Sequence, residues 1–161
     1  MSLDELMEIV QKSKFQDLLD AHNFKLVYMK AENQNQFQES FSIGFESSSC
    51  KLGFHCEATI GVAMIAKSSD WEQAQWIDLE YVIAYLLNRP ISQINTVIDH
   101  LDKYMPYQEK LIYALSKIAE DFEPLFDRIA AMFEDEKKIA QWKQALEVYV
   151  KEDTQRRYCM Q

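Results

Sequence analysis

The stretch from Phe37 to Ala66 alternates between apolar and polar positions. Phe41, Ile43 and Phe45 share one parity, and Cys50, Leu52, Phe54 and Cys56 do the same beyond Ser47-Ser48-Ser49. Period two marks a half-buried strand, and two such runs joined by a short polar segment predict a β-hairpin. Setting Phe45 opposite Cys50 places Ile43 opposite Leu52 and Phe41 opposite Phe54, so apolar meets apolar on one face. The connection is then Glu46 to Ser49, which lacks the Asn-Gly or Asp-Gly signal of a tight primed turn. The other face carries Ser40, Ser42, Gly44, Glu46, Lys51, Gly53, His55 and Glu57. Antiparallel sheets commonly leave one face to water, so this face is read as solvated, with a shallow polar docking surface as the alternative.

The remaining elements follow from the same periodicity. Leu3, Leu6, Met7, Val10, Phe15, Leu18 and Leu19 predict a helix over 3–21, opened by Ser2 with Glu5 in a capping-box pattern. Phe24 to Ala31 reads as a first strand, and Glu32 to Gln36 as a polar loop. Ile60 to Ala66 is apolar on both parities, which predicts a strand covered on both faces. From Ser68 the spacing turns helical, with Ser69 or Asp70 as cap and a stripe of Trp76, Leu79, Val82, Ile83, Leu86 and Leu87 before Pro90. Ile91 to Met105 carries a second stripe. Tyr107, Leu111, Leu115, Ile118 and Phe122 form a third, interrupted at Pro124, and Leu125, Ile129, Met132 and Phe133 continue it. Ile139, Trp142, Leu146, Tyr149 and Val150 mark the last helix, with a frayed tail expected from Asp153.

These elements make one α+β domain over 1–161, with an antiparallel sheet of about four strands and about five helices. The sheet-containing part runs to about 67 and the helical part from about 68 to 152. A meander is the simplest strand order, since sequential strands usually neighbour one another.

Composition narrows the function classes. The 161 residues are 48% hydrophobic and 12% aromatic, which describes a globular chain. No apolar run reaches the roughly 18 residues of a membrane span. The start, MSLDELMEIV, has acids where a signal peptide needs bases, so a cytoplasmic location is expected. Net charge is −9, and residues 120–136 hold seven acids (Glu120, Asp121, Glu123, Asp127, Glu134, Asp135, Glu136) against Arg128 alone, leaving −6. Phosphate contacts need Lys and Arg, so nucleic acid is not the expected partner, and a basic protein suits the charge. Ordinary solvated helix surface explains the same acids.

Candidate chemistry is sparse. Cys50 and Cys56 fall on one strand face roughly 20 Å apart at about 3.3 Å per residue, beyond disulfide reach, and read as buried free thiols. His22, His55 and His100 are too scattered for a zinc site. The three glycines lie in strand-like runs, so no phosphate-cradling loop is expected, and a Gly-x-Ser-x-Gly elbow is missing. Asp78 and Glu80, two apart, do not share a helix face. No catalytic residue, metal or cofactor is therefore assigned. Trp71, Trp76, Tyr81 and Tyr85 crowd one stretch. Trp76 suits the core, while Trp71, Tyr81 and Tyr85 are candidate interface anchors.

The run ESFSIGFESSSCKLGFHCE, then IGVAMIA, then DW and WIDLEYVIAYL, resembles small bacterial α+β proteins similar to the immunity proteins of toxin systems. The resemblance spans about 39–87 and rests on hydrophobic spacing. It implies a non-enzymatic protein that occludes a basic toxin or nuclease domain, and it carries over no catalytic residue. Two other readings stand beside it. One is a structural or regulatory homodimer, joined through a helical hairpin or a sheet edge. The other is a small-molecule enzyme on the polar sheet face, with Glu46, His55 or Glu57 as acid–base group.

Overall fold

Five strands lie side by side in chain order among the described residues: β1 (Lys25–Asn35), β2 (Gln38–Glu46), β3 (Cys50–Glu57), β4 (Ile60–Lys67) and β5 (Ile77–Asp78). All pair antiparallel, so the sheet is a meander. The computed structural model of the chain describes residues 2–35, 38–57, 60–67, 76–94 and 104–159. Within these, the side chains of 32–35, 38–39, 56–57, 60–64, 67, 92 and 157–159 are not described.

The hairpin forms where the alternation predicts it, but its register is two residues away from the expected one. Phe45 faces Leu52, Ile43 faces Phe54 and Phe41 faces Cys56. A shift of two keeps every side chain on its face, so hydrophobic alternation alone does not separate the two registers. The observed one sets Gly44 against Gly53 and Glu46 against Lys51. It closes through Ser47, whose N–H donates to the Cys50 carbonyl at 2.9 Å. The Ser47 hydroxyl also accepts from the N–H groups of Ser49 (3.3 Å) and Cys50 (3.2 Å). That side chain does the turn's hydrogen bonding without a positive-φ residue at Ser48 or Ser49.

Beyond this hairpin, β1 runs on to Asn35, through residues expected to be loop. β2 supplies ladder partners for them, with Glu32 opposite Ser40 and Asn33 opposite Glu39, and that pairing overrides weak strand propensity. β5 is the other departure. Ile77 and Asp78 pair with Ile65 and Met64, so Trp76 and Ile77 precede the helix instead of belonging to it.

The expected helix over 3–21 is two helices, α1 (Leu3–Lys12) and α2 (Lys14–Ala21). The capping box holds the start: Glu5 N–H donates to the Ser2 hydroxyl, and Ser2 N–H donates to the Glu5 carboxylate. Buried Ser13 makes the break by ending one helix and capping the next. Its hydroxyl donates to the Val10 carbonyl at 2.7 Å and accepts from Phe15 N–H at 3.3 Å. After β5 come α3 (Leu79–Leu87), a 3-10 turn at Ile91–Gln93, α4 (Tyr107–Phe122), a second 3-10 turn at Glu123–Leu125, α5 (Phe126–Met132) and α6 (Glu136–Cys159). Most of the stripe expected over 91–105 lies outside the described residues. Pro124 interrupts the helical run as expected, because it has no N–H to give. The tail does not fray at Asp153, since α6 continues and Asp153 itself is buried.

α2 and α3 each end on an asparagine in the left-handed region, Asn23 (φ 55°) and Asn88 (φ 51°). Phe24 N–H reaches back to the Leu19 carbonyl (2.8 Å) and Arg89 N–H to the Ala84 carbonyl (3.0 Å), the Schellman arrangement that satisfies orphan carbonyls. The core joins Phe41, Ile43, Phe45, Leu52, Phe54 and Ile65 of the sheet to the apolar stripes of α1–α4 and to Trp142 and Leu146 of α6. Each large side chain buried this way contributes about 1.5–3 kcal/mol.

Candidate functional site

α2 and α4 lie side by side, tied by three bonds. Lys14 N–H donates to the Ser116 hydroxyl (3.1 Å), Lys14 Nζ to Glu120 Oε1 (2.6 Å), and His22 Nε2 lies 3.2 Å from Glu123 Oε1. His22 also stacks on Phe126 with ring centres 3.5 Å apart, and Phe24 and Phe122 set their rings edge-on to Phe126. This aromatic group fixes Glu123 where the chain turns at Pro124.

Between the helices runs a groove of about 300 Å³, lined by Lys14, Asp17, Leu18, Ala21, Ala119, Glu120 and Glu123. Lys14, Asp17, Leu18 and Ala21 recur at three and four spacing, so one face of α2 makes one wall. Ala21 and Ala119 are small and leave the trough open, and Leu18 gives it an apolar floor. The rim holds three carboxylates against one ammonium. The hydrogen bond from Lys14 keeps the Glu120 carboxyl below its ordinary range, and the same bond raises Lys14. Both groups are exposed, so the pair adds little to stability.

The acidic stretch of 120–136 does not form one surface. Glu120 and Glu123 line the groove, while Asp121 is held by Lys117 at 3.1 Å. Glu134 pairs with Lys138, and Asp135 accepts from Lys138 N–H at 2.8 Å at the start of α6. Asp127 and Glu136 are exposed on α5 and α6. Asp17 completes the rim although the sequence did not single it out. Nothing local in the chain says that α2 packs on α4, about a hundred residues away.

The aromatic candidates separate. Trp71 lies outside the described residues, as does His100. Tyr85 is half-buried, and its ring meets Tyr149 edge-on at 5.6 Å between α3 and α6. Tyr81 lines a second groove with Trp76 and Ile77, facing Lys143, Leu146, Glu147, Val150 and Lys151 of α6. Trp76, expected in the core, is only half-buried there.

The polar sheet face is not the solvated surface expected. Ser40 (3% exposed) and Lys51 (4%) are buried, as are Gly44 and Gly53. Lys51 Nζ lies 4.0 Å from Glu46 Oε1, which offsets part of the cost of burying its charge. Ser42 Oγ and His55 Nδ1 are 2.8 Å apart as a cross-strand pair. Both side chains are half-buried, with exposed Lys30 opposite Ser42 on β1, and a base beside a hydroxyl is the start of a nucleophile. Glu57 sits opposite Ser40, and its side chain lies outside the described residues.

Cys50 is buried against Ser47, and desolvation pushes its thiol up to about 12, which leaves it inert. Among the described residues no group of His, Cys, Asp and Glu is placed to hold a metal ion, and no helix is long and apolar enough to cross a membrane.

No protein-family model matches the chain, and no curated protein and no solved structure is similar to it.

Proposed function

We propose that this protein is a non-enzymatic binding protein whose partner is a basic protein surface, acting by occlusion in the manner of an immunity-type inhibitor. The observation that carries the reading is the α2–α4 groove, with an apolar floor and Asp17, Glu120 and Glu123 on its rim. A Lys or Arg side chain of the partner would lay its aliphatic stem along exposed Ala21 and its charge among the carboxylates. The net charge of −9 would steer a basic partner to this surface. Asp127, Glu134 and Glu136 would add to that field from α5 and α6.

The test is affinity capture at low salt followed by elution with rising salt, run beside an Asp17→Asn/Glu123→Gln double variant. A basic protein released from the wild type at moderate salt, and captured poorly by the variant, supports the reading. Capture that survives high salt, or that is equal for both forms, overturns it.

A second reading has an observation of its own. β1 is a sheet edge of 11 residues with Leu26, Val27 and Met29 all 40% exposed or more, a surface on which a second copy could pair. Light scattering separates it from a monomeric inhibitor, since a homodimer doubles the mass.

A further inference from the structure

His22 stands where α2 ends and meets the rim of the α2–α4 groove from outside it. Its Nε2 lies 3.2 Å from Glu123 Oε1, and its ring is stacked on Phe126. The other two rim acids answer to a different group. Glu120 is held by Lys14, and Asp17 acts on the same ammonium. Glu123 alone on this rim has a histidine for a neighbour, and histidine is the side chain whose charge changes between pH 5 and 8.

We propose that His22 is a pH switch on this groove, a proton on its ring weakening the docking of a basic partner. The inference rests on the reading of the groove as a dock for cationic side chains. With a neutral imidazole the rim holds three carboxylates against one ammonium, a net −2. An imidazolium beside Glu123 brings this to −1 and draws Oε1 into an ion pair. Partner and proton then compete for one carboxylate, so each weakens the other by the same factor.

The fold has a place for the charged ring. His22 caps the C-terminal end of α2, where a helix carries partial negative charge, and its ring lies on the face of Phe126. Among the described residues, the other charged groups on the surrounding elements are engaged elsewhere. Asp20 accepts from Gln16 at 2.9 Å, Asp121 accepts from Lys117 at 3.1 Å, and Arg128 Nη1 donates to the Leu86 carbonyl at 3.4 Å. Lys25 and Asp127 are exposed on β1 and α5. Glu123 is thus the charge that a proton on His22 meets first.

The experiment is fluorescence anisotropy of a dansylated hexa-arginine peptide at low salt, at pH 5 and at pH 8. The wild type is run beside Asp17→Asn/Glu123→Gln, His22→Gln and His22→Phe. The wild type is expected to bind about fivefold more weakly at pH 5, a modest coupling because Glu123 is 48% exposed and water screens the pair. Both histidine variants are expected to lose that difference. Gln keeps a donor for Glu123 and Phe keeps a ring on Phe126, so a loss common to both does not come from packing. Thermal melts at each pH establish that the variants are folded. Equal wild-type binding at the two pH values, or an undiminished difference in either histidine variant, overturns the switch and leaves the dock standing. A peptide that does not bind, or that binds Asp17→Asn/Glu123→Gln equally well, overturns both.

Discussion

Tyr149 donates its hydroxyl to the Arg89 carbonyl, sixty residues earlier in the chain. The same hydroxyl lies 3.2 Å from the Ala84 carbonyl, so α6 is fastened to the C-terminal end of α3. Desolvation is the main reason the phenol titrates above its ordinary value, with the Asp153 carboxylate adding to it.

Removing only that hydroxyl tests the fastening. Tyr149→Phe keeps the ring contact with Tyr85 and is expected to cost about 1 kcal/mol, the net worth of a typical hydrogen bond. Tyr149→Ala also loses the ring and should cost about 3 kcal/mol or more. Urea denaturation of the three forms measures both steps. No loss for Tyr149→Phe beside a large loss for Tyr149→Ala would mean that the ring alone does the fastening.

The two left-handed asparagines make a backbone prediction. Asn23→Ala and Asn88→Ala should each cost about 1 kcal/mol, because a Cβ without a local hydrogen-bonding side chain is disfavoured at positive φ. Asn23→Gly and Asn88→Gly should be neutral or slightly stabilising. Thermal melts of the four variants settle it. Two alanine variants as stable as the wild type would show that the helix ends are not held this way.

Asp78 gives a pH dependence. Burial raises its carboxyl above the ordinary value, so the folded state holds the proton more tightly than the unfolded chain. Between the two pKa values the folded state binds more protons, and stability falls as pH rises through that window. Asp78→Asn should therefore raise Tm at pH 7 and leave it almost unchanged at pH 3, where both side chains are neutral. Calorimetry at the two pH values is the measurement.

Cys50 makes a reactivity prediction. With its thiol pushed up to about 12 by burial, iodoacetamide at pH 8 should leave it unmodified in the folded protein. In denaturant it should label within minutes, and peptide mapping distinguishes it from Cys56 and Cys159. Rapid labelling without denaturant would show that β3 opens at its start.

Local chemistry explains which parts of the fold were legible. The parity of Phe41, Ile43 and Phe45 placed one hairpin face on the core, because alternation is written residue by residue. Register was not, since parity repeats every two residues and the closing bonds come from the Ser47 side chain. Leu111, Leu115, Ile118 and Phe122 announced α4, as apolar residues recur at three and four spacing. The break at Ser13 shows in the stripe only as one five-residue step from Val10 to Phe15, too slight a signal to separate one helix from two. The candidate site was half visible. Glu120 and Glu123 stood out as charge, but Asp17 joins them only through packing between distant helices. Tyr81 and Tyr85 read alike in sequence, although one lines the groove between α3 and α6 and the other meets Tyr149.

The long reach from α2 to α4 also sets an order of events during synthesis. Lys14 meets Ser116 and Glu120, and His22 meets Glu123, each across more than a hundred residues. At about 5–20 residues per second, α4 leaves the ribosome roughly 5–20 s after α2. Throughout that interval Leu6, Ile9, Phe15, Leu18 and Leu19 lack the helix they finally pack against. The first segment made is thus among the last to be finished, and a nascent chain halted before α4 presents an apolar helical face to chaperones.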